Sequence, residues 1–210
     1  MIEVASALST AWPSLRVGFL YCQLAGTVDD GRLPALGAGE PDAVAQQNID
    51  SARRLFKACG ADPSRYRPSC DALSRRVAGG KPLASVNAVV DIGNCISLRY
   101  GVCVGSYDMA CLEGPIVCTV GEPQASYQGI ADKTIKLGGM PAVRDTQGYF
   151  GSLHADSRRT CVGAQSQALL MLFFYASDEV NPLTVQGDAS ALLHDCYSYS
   201  LVACNMGVCQ

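Results

Sequence analysis

The stretch Arg67–Asp108, RPSCDALSRRVAGGKPLASVNAVVDIGNCISLRYGVCVGSYD, carries the clearest structural signal in the chain. Its second half places Asn87, Asp91 and Asn94 on or just before a short apolar segment that a glycine follows. This pattern predicts a helix over Val89–Tyr100 that ends at that glycine. Polar side chains in an apolar frame cost free energy unless they cap a turn or bind a ligand.

The three polar residues of this helix call for different explanations. Asn87 suits a helix N-cap, and Asp91 lies near the helix N-terminus, where the helix dipole favours a negative charge. Asn94 is harder to explain, because asparagine inside a helix competes with the backbone for hydrogen bonds. We therefore expect Asn94 to face a ligand.

The sequence before this stretch predicts one strand and two further helices. Trp12–Gln23 alternates apolar and other residues in the manner of a strand, and a loop rich in Gly, Asp and Pro follows at Gly26–Gly39. A helix is expected to open at Pro41-Asp42 and to end at Gly60. A second helix is expected to be capped by Ser69 and to end at Gly79-Gly80.

The sequence after this stretch predicts mainly short strands and a final helix. The strands are expected at Pro115–Val120, around Ile130, at Ala142–Asp145 and at Leu169–Tyr175, and the helix from Pro182 to about Tyr199. Helices followed by a run of strands favour an α+β fold, with a mostly antiparallel sheet flanked by helices. Because no repeat or low-complexity linker interrupts the chain, residues 1–210 are expected to form one domain.

Composition excludes several classes of protein. Of the 210 residues, 49% are apolar, which argues against disorder, and the net charge of −3 argues against a general nucleic-acid binder and a DNA partner. The longest apolar run, Ala168–Ala176, is too short to cross a bilayer, so we expect no membrane partner.

The chain contains eleven cysteines but no C-x-x-C pair. We therefore expect no metal site, and we expect buried thiols at Cys95, Cys103 and Cys118. Because Met1-Ile2-Glu3 opens neither a basic nor a long apolar segment, no secretory signal is visible. These features predict a cytoplasmic protein with reduced cysteines.

The chain has two histidines, His154 and His194, which are its natural candidates for a general base near neutral pH. His154 follows a predicted strand in a polar loop and is the candidate catalytic residue, whereas His194 is expected on the surface of the last helix. No nucleophile elbow, dinucleotide fingerprint or P-loop is present, so no cofactor is expected. A hydrolase that uses His154 as its general base stays open at this point.

Two further segments are polar or basic. Arg53–Lys81 contains eight basic residues against two acidic ones, which fits either a surface that binds phosphates or two solvated helix faces. The loop Asp156–Thr160 offers a carboxylate, two hydroxyls and two guanidinium groups. It fits either a ligand-binding loop or a turn held by an internal salt bridge.

Two segments together resemble a known family. Arg65–Asp108, and then Asp145–Val162, DTQGYFGSLHADSRRTCV, are similar to the B3/B4 (tRNA-editing) domain of the phenylalanyl-tRNA synthetase β-subunit. The resemblance is strongest over residues 63–175. It implies a stand-alone form of that domain, since the chain holds none of the synthetase's other domains and is not expected to ligate amino acids to tRNA.

The resemblance also implies where a substrate would bind. It places the pocket at Asn94, in the turn before a Tyr-Asp pair, and in the glycine-serine loop, and it puts Gly105 where the synthetase domain commonly has a histidine. The residues implied to bind substrate are Asn94, Val104, Gly105, Ser106, Tyr107, Gly151, Ser152 and Asp156.

By the same resemblance, the expected activity is hydrolysis of the ester of a mischarged aminoacyl-tRNA, in trans and with few catalytic side chains. Contact with the acceptor end of the tRNA is expected through phosphates. The candidate residues for that contact are Arg67, Arg75, Arg76, Lys81, Arg158 and Arg159. The alternative is a module of the same fold that binds RNA, an amino acid or a small metabolite without turnover.

Overall fold

The computed structural model describes residues 2–24, 42–197 and 201–209. Its helices are α1 (Ser6–Ala11), α2 (Ala43–Cys59), α3 (Ser69–Ala78), α4 (Ala88–Tyr100) and α5 (Pro182–Tyr197). Its strands are β1 (Ile2–Val4), β2 (Arg16–Leu24), β3 (Cys103–Asp108), β4 (Ile116–Val120), β5 (Ser126–Gln128), β6 (Thr134–Lys136), β7 (Pro141–Asp145), β8 (Gly148–Ser152), β9 (Ala168–Tyr175) and β10 (Leu201–Cys209).

These strands form two four-stranded sheets and a separate hairpin. The first sheet has the order β1-β4-β7-β8 and is antiparallel except for the β1–β4 pair. The second sheet, β10-β2-β9-β3, is antiparallel throughout, and β5 pairs with β6 in the hairpin. The α+β class with mostly antiparallel pairing is confirmed, although the pairing is divided between two sheets.

Strand β9 lies at the centre of the core because both of its faces are covered. Leu172 and Phe174 pack into a cluster that includes α2 and the first sheet. Met171 and Phe173, on the opposite face, pack into a cluster with α4 and α5. Burial on both faces explains why this strand is a continuous apolar run rather than an alternating one.

The ends of α2 and α4 form as the sequence predicts. The carboxylate of Asp42 accepts a hydrogen bond from the amide of Ala45 (2.8 Å), and Gly60 ends α2 with φ of 100°. Asn87 accepts from the amide of Val90 (3.0 Å), and the glycine after α4 has φ of 67°. Each glycine occupies the left-handed conformation that other residues adopt only at a cost.

Two local predictions are wrong. Ser69 is the first residue of α3 rather than its cap: Pro68 holds the cap position, and the Ser69 amide donates to the carbonyl of Leu153 (2.7 Å). Ile130 lies in a turn between β5 and β6, with 57% of its surface exposed, rather than in a strand. The loop predicted at Gly26–Gly39 lies outside the described residues.

The remaining predicted strands and the last helix are confirmed, with boundaries that differ by at most four residues within the described part of the chain. They correspond to β2, β4, β7, β9 and α5, and the end of α5 expected near Tyr199 lies outside the described residues.

Asp91 makes contacts that the sequence did not predict: its buried carboxylate accepts from the hydroxyl of Ser85 and from the amide of Val86 (3.1 Å). It therefore holds the segment before α4 in addition to lying near the helix N-terminus.

In the part of the chain that the structure describes, no helix has the length and apolar character needed to cross a membrane.

The cap at Asn87 yields a first prediction. Replacing Asn87 with alanine removes the acceptor for the Val90 amide, so we expect the free energy of unfolding to fall by about 1 kcal/mol. Chemical denaturation measures this change. The matched control Asn87→Ser keeps a capping oxygen and is expected to lose much less. Equal losses in the two variants would contradict a role for the cap.

Candidate functional site

A cavity of about 580 Å³ lies between α3, α4, β3 and the segment after β8. Its apolar wall is formed by Ala72, Leu73, Val90, Val104 and Val162. Its polar groups are Ser69, Asn94, Ser97, Ser106, His154 and Asp156. The cavity therefore combines an apolar wall with a few polar side chains, as small-molecule sites do.

The periodicities of α4 and β3 bring their cavity residues to one side. In α4, Val90, Gly93, Asn94 and Ser97 follow the spacing i, i+3, i+4, i+7, which is one face of a helix. Strand β3 alternates, so that Val104 and Ser106 face the cavity whereas their neighbours are buried on the other face. The helix approaches the strand closely, since a Cβ added at Gly93 would lie 3.4 Å from the Ser106 hydroxyl.

Asn94 lies in this face of α4 and is half-buried. Within residues 2–24, 42–197 and 201–209, no group forms a hydrogen bond with its carboxamide. Asparagine in a helix usually bonds to nearby backbone. Here the amide keeps both its donors and its acceptor available to the cavity.

Asp156 brings a carboxylate to the cavity. Its Oδ1 accepts a hydrogen bond from the phenol of Tyr107 (2.8 Å), and it also accepts from the amide of Ser106. Burial raises the pKa of Asp156 from 3.8 to about 7, and these two hydrogen bonds oppose that rise. At neutral pH the group therefore lies close to its titration midpoint.

The position of Tyr107 depends on two glycines. A Cβ added at Gly105 on β3, or at Gly151 on β8, would overlap the Tyr107 hydroxyl. The ring also packs edge-on against Phe150, with 4.9 Å between centroids. Burial and the nearby charge of Asp156 raise the pKa of Tyr107 well above its usual value, so the phenol stays protonated and donates.

His154 is held by a single ring nitrogen. Its Nδ1 lies 2.8 Å from the carbonyl oxygen of Arg67, which can only accept, so Nδ1 carries the proton. Tyr66 packs against the ring edge, with 5.7 Å between centroids. With Nδ1 engaged by the Arg67 carbonyl, Nε2 is the ring nitrogen left for a proton-accepting role, as a general base requires.

The structure brings together some of the residues predicted to bind substrate and separates others. Asn94, Val104, Ser106 and Asp156 line the cavity, together with the candidate catalytic His154. Val104–Ser106 belong to β3 and Gly151–Ser152 to β8, so the predictions of a turn and of a loop are wrong.

Four predicted residues lie behind the cavity wall rather than in it. Gly105 and Gly151 flank Tyr107, whose side chain is fully buried. The Ser152 hydroxyl accepts from Tyr127 (2.9 Å) and donates to the carbonyl of Ala155 (3.0 Å). These residues support Asp156, and they are not positioned to touch a ligand in the cavity.

The sequence predictions missed the contribution of α3 and of the segment after the Asp156–Thr160 loop. Ala72 and Leu73 on α3, and Cys161 and Val162 after the loop, line the cavity. The signal for α4 was present as the i, i+3, i+4, i+7 spacing around Asn94. No comparable signal exists for the other two segments, because they reach the cavity only through tertiary packing.

The basic residues predicted to contact tRNA differ in their availability. Arg67, Arg76 and Lys81 are exposed, and Arg76 also lines the cavity, with its Nε donating to the carbonyl of Pro82 (2.9 Å). Arg75 is exposed but pairs with the buried Asp71 (2.6 Å).

The two arginines of the Asp156–Thr160 loop are paired outside it. Arg158 pairs with Asp132, and Arg159 makes two hydrogen bonds to Asp145 (2.9 and 3.1 Å). The loop therefore has no internal salt bridge between these arginines and Asp156. Arg159 therefore stabilises the fold through Asp145, and its bonded nitrogens are not free to bind a phosphate.

Two of the three thiols predicted to be buried are buried in the structure. Cys103 and Cys118 are buried, whereas Cys95 is half-buried. The sulfur of Cys103 lies 3.5 Å from that of Cys70, joining β3 to α3 behind the cavity. Among the described residues, no three His, Cys, Asp or Glu side chains are grouped as a metal ion would require.

Comparison with known proteins places this architecture in a family. The family model described as the B3/4 domain matches residues 51–191. The chain belongs to the B3/4 domain family. No curated protein matches it.

One similar solved structure is the crystal structure of an N-terminal fragment of the phenylalanyl-tRNA synthetase β-subunit from Pyrococcus horikoshii. It is 13% identical, with a TM-score of 0.46, over 100% of this chain and 50% of that chain. The chain thus spans half the length of that fragment. The B3/4 match itself contains every residue that lines the cavity.

Asp156 gives the B3/4 domain a pH-dependent stability that can be tested. A carboxyl whose pKa is raised on folding stabilises the folded protein below pH 4, and this contribution is lost as pH rises through about 7. Relative to Asp156→Asn, which stays neutral, the wild-type protein is expected to lose stability between about pH 4 and pH 7. Denaturant titrations of both proteins at each pH measure the difference. A difference that does not change with pH would contradict the assigned environment.

The glycine at position 105 yields a second test of the site. In Gly105→Ala the new methyl group would displace Tyr107 from Asp156, and we expect a loss of about 1–3 kcal/mol in the free energy of unfolding. A histidine at this position would meet the same obstacle. Gly163→Ala is the matched control, because nothing lies within 4 Å of its added Cβ. Similar stability of the two variants would refute the packing of Tyr107.

Proposed function

We propose that this B3/4 domain is an aminoacyl-tRNA deacylase, which hydrolyses the ester of a mischarged aminoacyl-tRNA in trans. One observation carries the proposal: Asn94 and His154 offer unengaged polar atoms to the same cavity. The sequence resemblance to the tRNA-editing domain of a synthetase, and membership of the B3/4 family, supply the class of substrate.

The dimensions and walls of the cavity suit an aminoacyl group. Its volume of about 580 Å³ lies within the range of small-molecule sites. Leu73, Val90 and Val104 offer apolar contacts for an amino-acid side chain, while the polar groups lie nearby for the ester. Val86 and Ile130 also line the cavity and are 64% and 57% exposed, so they are accessible to contact the ribose.

The hydrolysis needs few side chains because an aminoacyl ester is already activated. Water attacks the ester carbonyl and gives up a proton to Nε2 of His154. The carboxamide of Asn94 donates a hydrogen bond to the oxyanion that develops. The ribose oxygen then leaves with that proton, releasing the free amino acid and uncharged tRNA. Neither a covalent intermediate nor a cofactor enters this scheme.

The tRNA would reach the cavity along its α3 side. Arg67, Arg76 and Lys81 are exposed there, and the backbone carbonyl of Arg67 also holds His154. Their positive charges suit the phosphates of the acceptor end, with contacts that position the strand and read no bases. Such contacts weaken as salt concentration increases.

A panel of aminoacyl-tRNAs tests the proposal. We expect the purified protein to release the amino acid from at least one of them. We expect Asn94→Ala to lower kcat/KM by about 10²–10³-fold and His154→Ala by about 10²–10⁴-fold. His194→Ala is the matched control, since His194 is exposed on α5 and does not line the cavity.

Two outcomes would count against the deacylase. Absence of hydrolysis across the whole panel would refute it, and saturable binding of aminoacyl-tRNA or amino acid without turnover would favour the binding module instead. Hydrolysis that persists in both Asn94→Ala and His154→Ala would indicate that the active site lies outside this cavity.

A further inference from the structure

Asp156 is half-buried, and it differs from the fully buried carboxylates Asp71 and Asp145 in lacking a compensating positive charge. Asp71 and Asp145 are each paired with arginine. Asp91 is buried with neutral partners but lies in the first turn of α4, where the helix dipole is favourable. In the part of the chain that the structure describes, no Lys, Arg or His side chain pairs with Asp156.

The partners of Asp156 are both neutral donors. The Tyr107 phenol and the Ser106 amide each supply one hydrogen bond, and neither supplies a full charge. A desolvated carboxylate with only neutral partners is costly, and burial accordingly raises the pKa of Asp156 to about 7. A cation bound in the cavity would restore the missing charge.

The charged groups that line the cavity indicate where such a cation would bind. Asp156 is the one acidic residue among the described residues that line the cavity. The other charged or titratable groups that line it are Arg76, His154 and Cys161. Arg76 is exposed and bonded to the carbonyl of Pro82, so it lies in solvent at the rim. Among these described groups, Asp156 is the one whose negative charge attracts a positively charged ligand group.

We propose that Asp156 binds the α-ammonium group of the bound aminoacyl moiety, so that the site selects substrates whose α-amino group is free. This inference rests on the proposed function for the presence of an aminoacyl ester. Every such ester carries an amino group one carbon away from its carbonyl. With a pKa near 7.7–8.0, an α-amino group is mostly protonated at pH 7.

The same geometry disfavours N-acylated substrates. N-acylation removes the positive charge and adds a carbonyl oxygen, whose dipole would face the carboxylate. The hydrogen bond that remains, from a neutral amide, is roughly half as strong as a charge-assisted one. The Tyr107 phenol, held between Gly105 and Gly151, donates to Oδ1 of Asp156 and so orients the carboxylate.

The test uses amino-acid amides. They resemble the aminoacyl group of the substrate, but they lack the ester bond that the protein is proposed to hydrolyse. Calorimetric titrations at pH 7 compare L-leucinamide, L-tyrosinamide and L-alaninamide with their N-acetyl derivatives. In the wild-type protein we expect N-acetylation to weaken binding by about 10- to 100-fold. In Asp156→Asn we expect the two forms of each amide to bind about equally.

A matched control and a test without mutation accompany this experiment. Asp50→Asn removes an exposed carboxylate from α2, outside the cavity, and is expected to keep the wild-type preference. The ratio of free to N-acetylated affinity in the wild-type protein does not depend on whether Asp156→Asn folds. A preference that follows the side chain of the amide rather than its amino group would overturn the inference.

The inference and the proposed function can fail separately. Equal affinity for free and N-acetylated amides, or no saturable binding of any of these amides, would overturn the role of Asp156. Deacylation of N-acetyl-aminoacyl-tRNA as fast as of aminoacyl-tRNA would do the same while leaving the deacylase intact. Conversely, a clear preference for free amides in a protein that hydrolyses no aminoacyl-tRNA would support the role of Asp156 and refute the deacylase.

Discussion

The hydrogen bond from Tyr107 to Asp156 is the contact on which the candidate site depends. Tyr107 belongs to β3 in the second sheet, and its phenol lies between Gly105 of that strand and Gly151 of β8 in the first sheet. The ring thus occupies the place where the two sheets meet, and it is tightly packed there. The carboxylate that reaches the cavity is positioned by the packing of the core behind it.

This arrangement separates the residues that support the site from those that face a ligand. Tyr107 and the two glycines are buried and determine where Asp156 lies. Asn94 and His154 approach from other elements, and each retains an unengaged polar atom toward the cavity. A carboxylate left without a counter-charge lowers the stability of the folded protein at neutral pH, as is common where a binding site is kept ready for its ligand. Desolvation of Asp156 lowers the free energy of unfolding, and packing of the core around β9 offsets this loss.

The sequence predicted best those elements whose signals are local. The caps of α2 and α4 depend on side chains three residues from the amides they bind, and the run at β9 is apolar because both faces are covered. Strands β3 and β8 were missed because their glycines suggest a turn and a loop. In the structure Gly105 and Gly151 lie within strands, and a side chain at either position would take the space that the Tyr107 ring fills.

The sequence by itself determined the α+β class, the position of α4 and the prominence of Asn94, because helix periodicity and caps are read within a few residues. It also carried the resemblance to the B3/4 family, which the family match confirms. Only the tertiary structure decided that Tyr107 and Gly105 stand behind the cavity whereas Asp156 stands in it. The environment of a carboxylate depends on which charges and dipoles the fold brings near it, and the groups nearest Asp156 are 49 and 50 residues away in the chain.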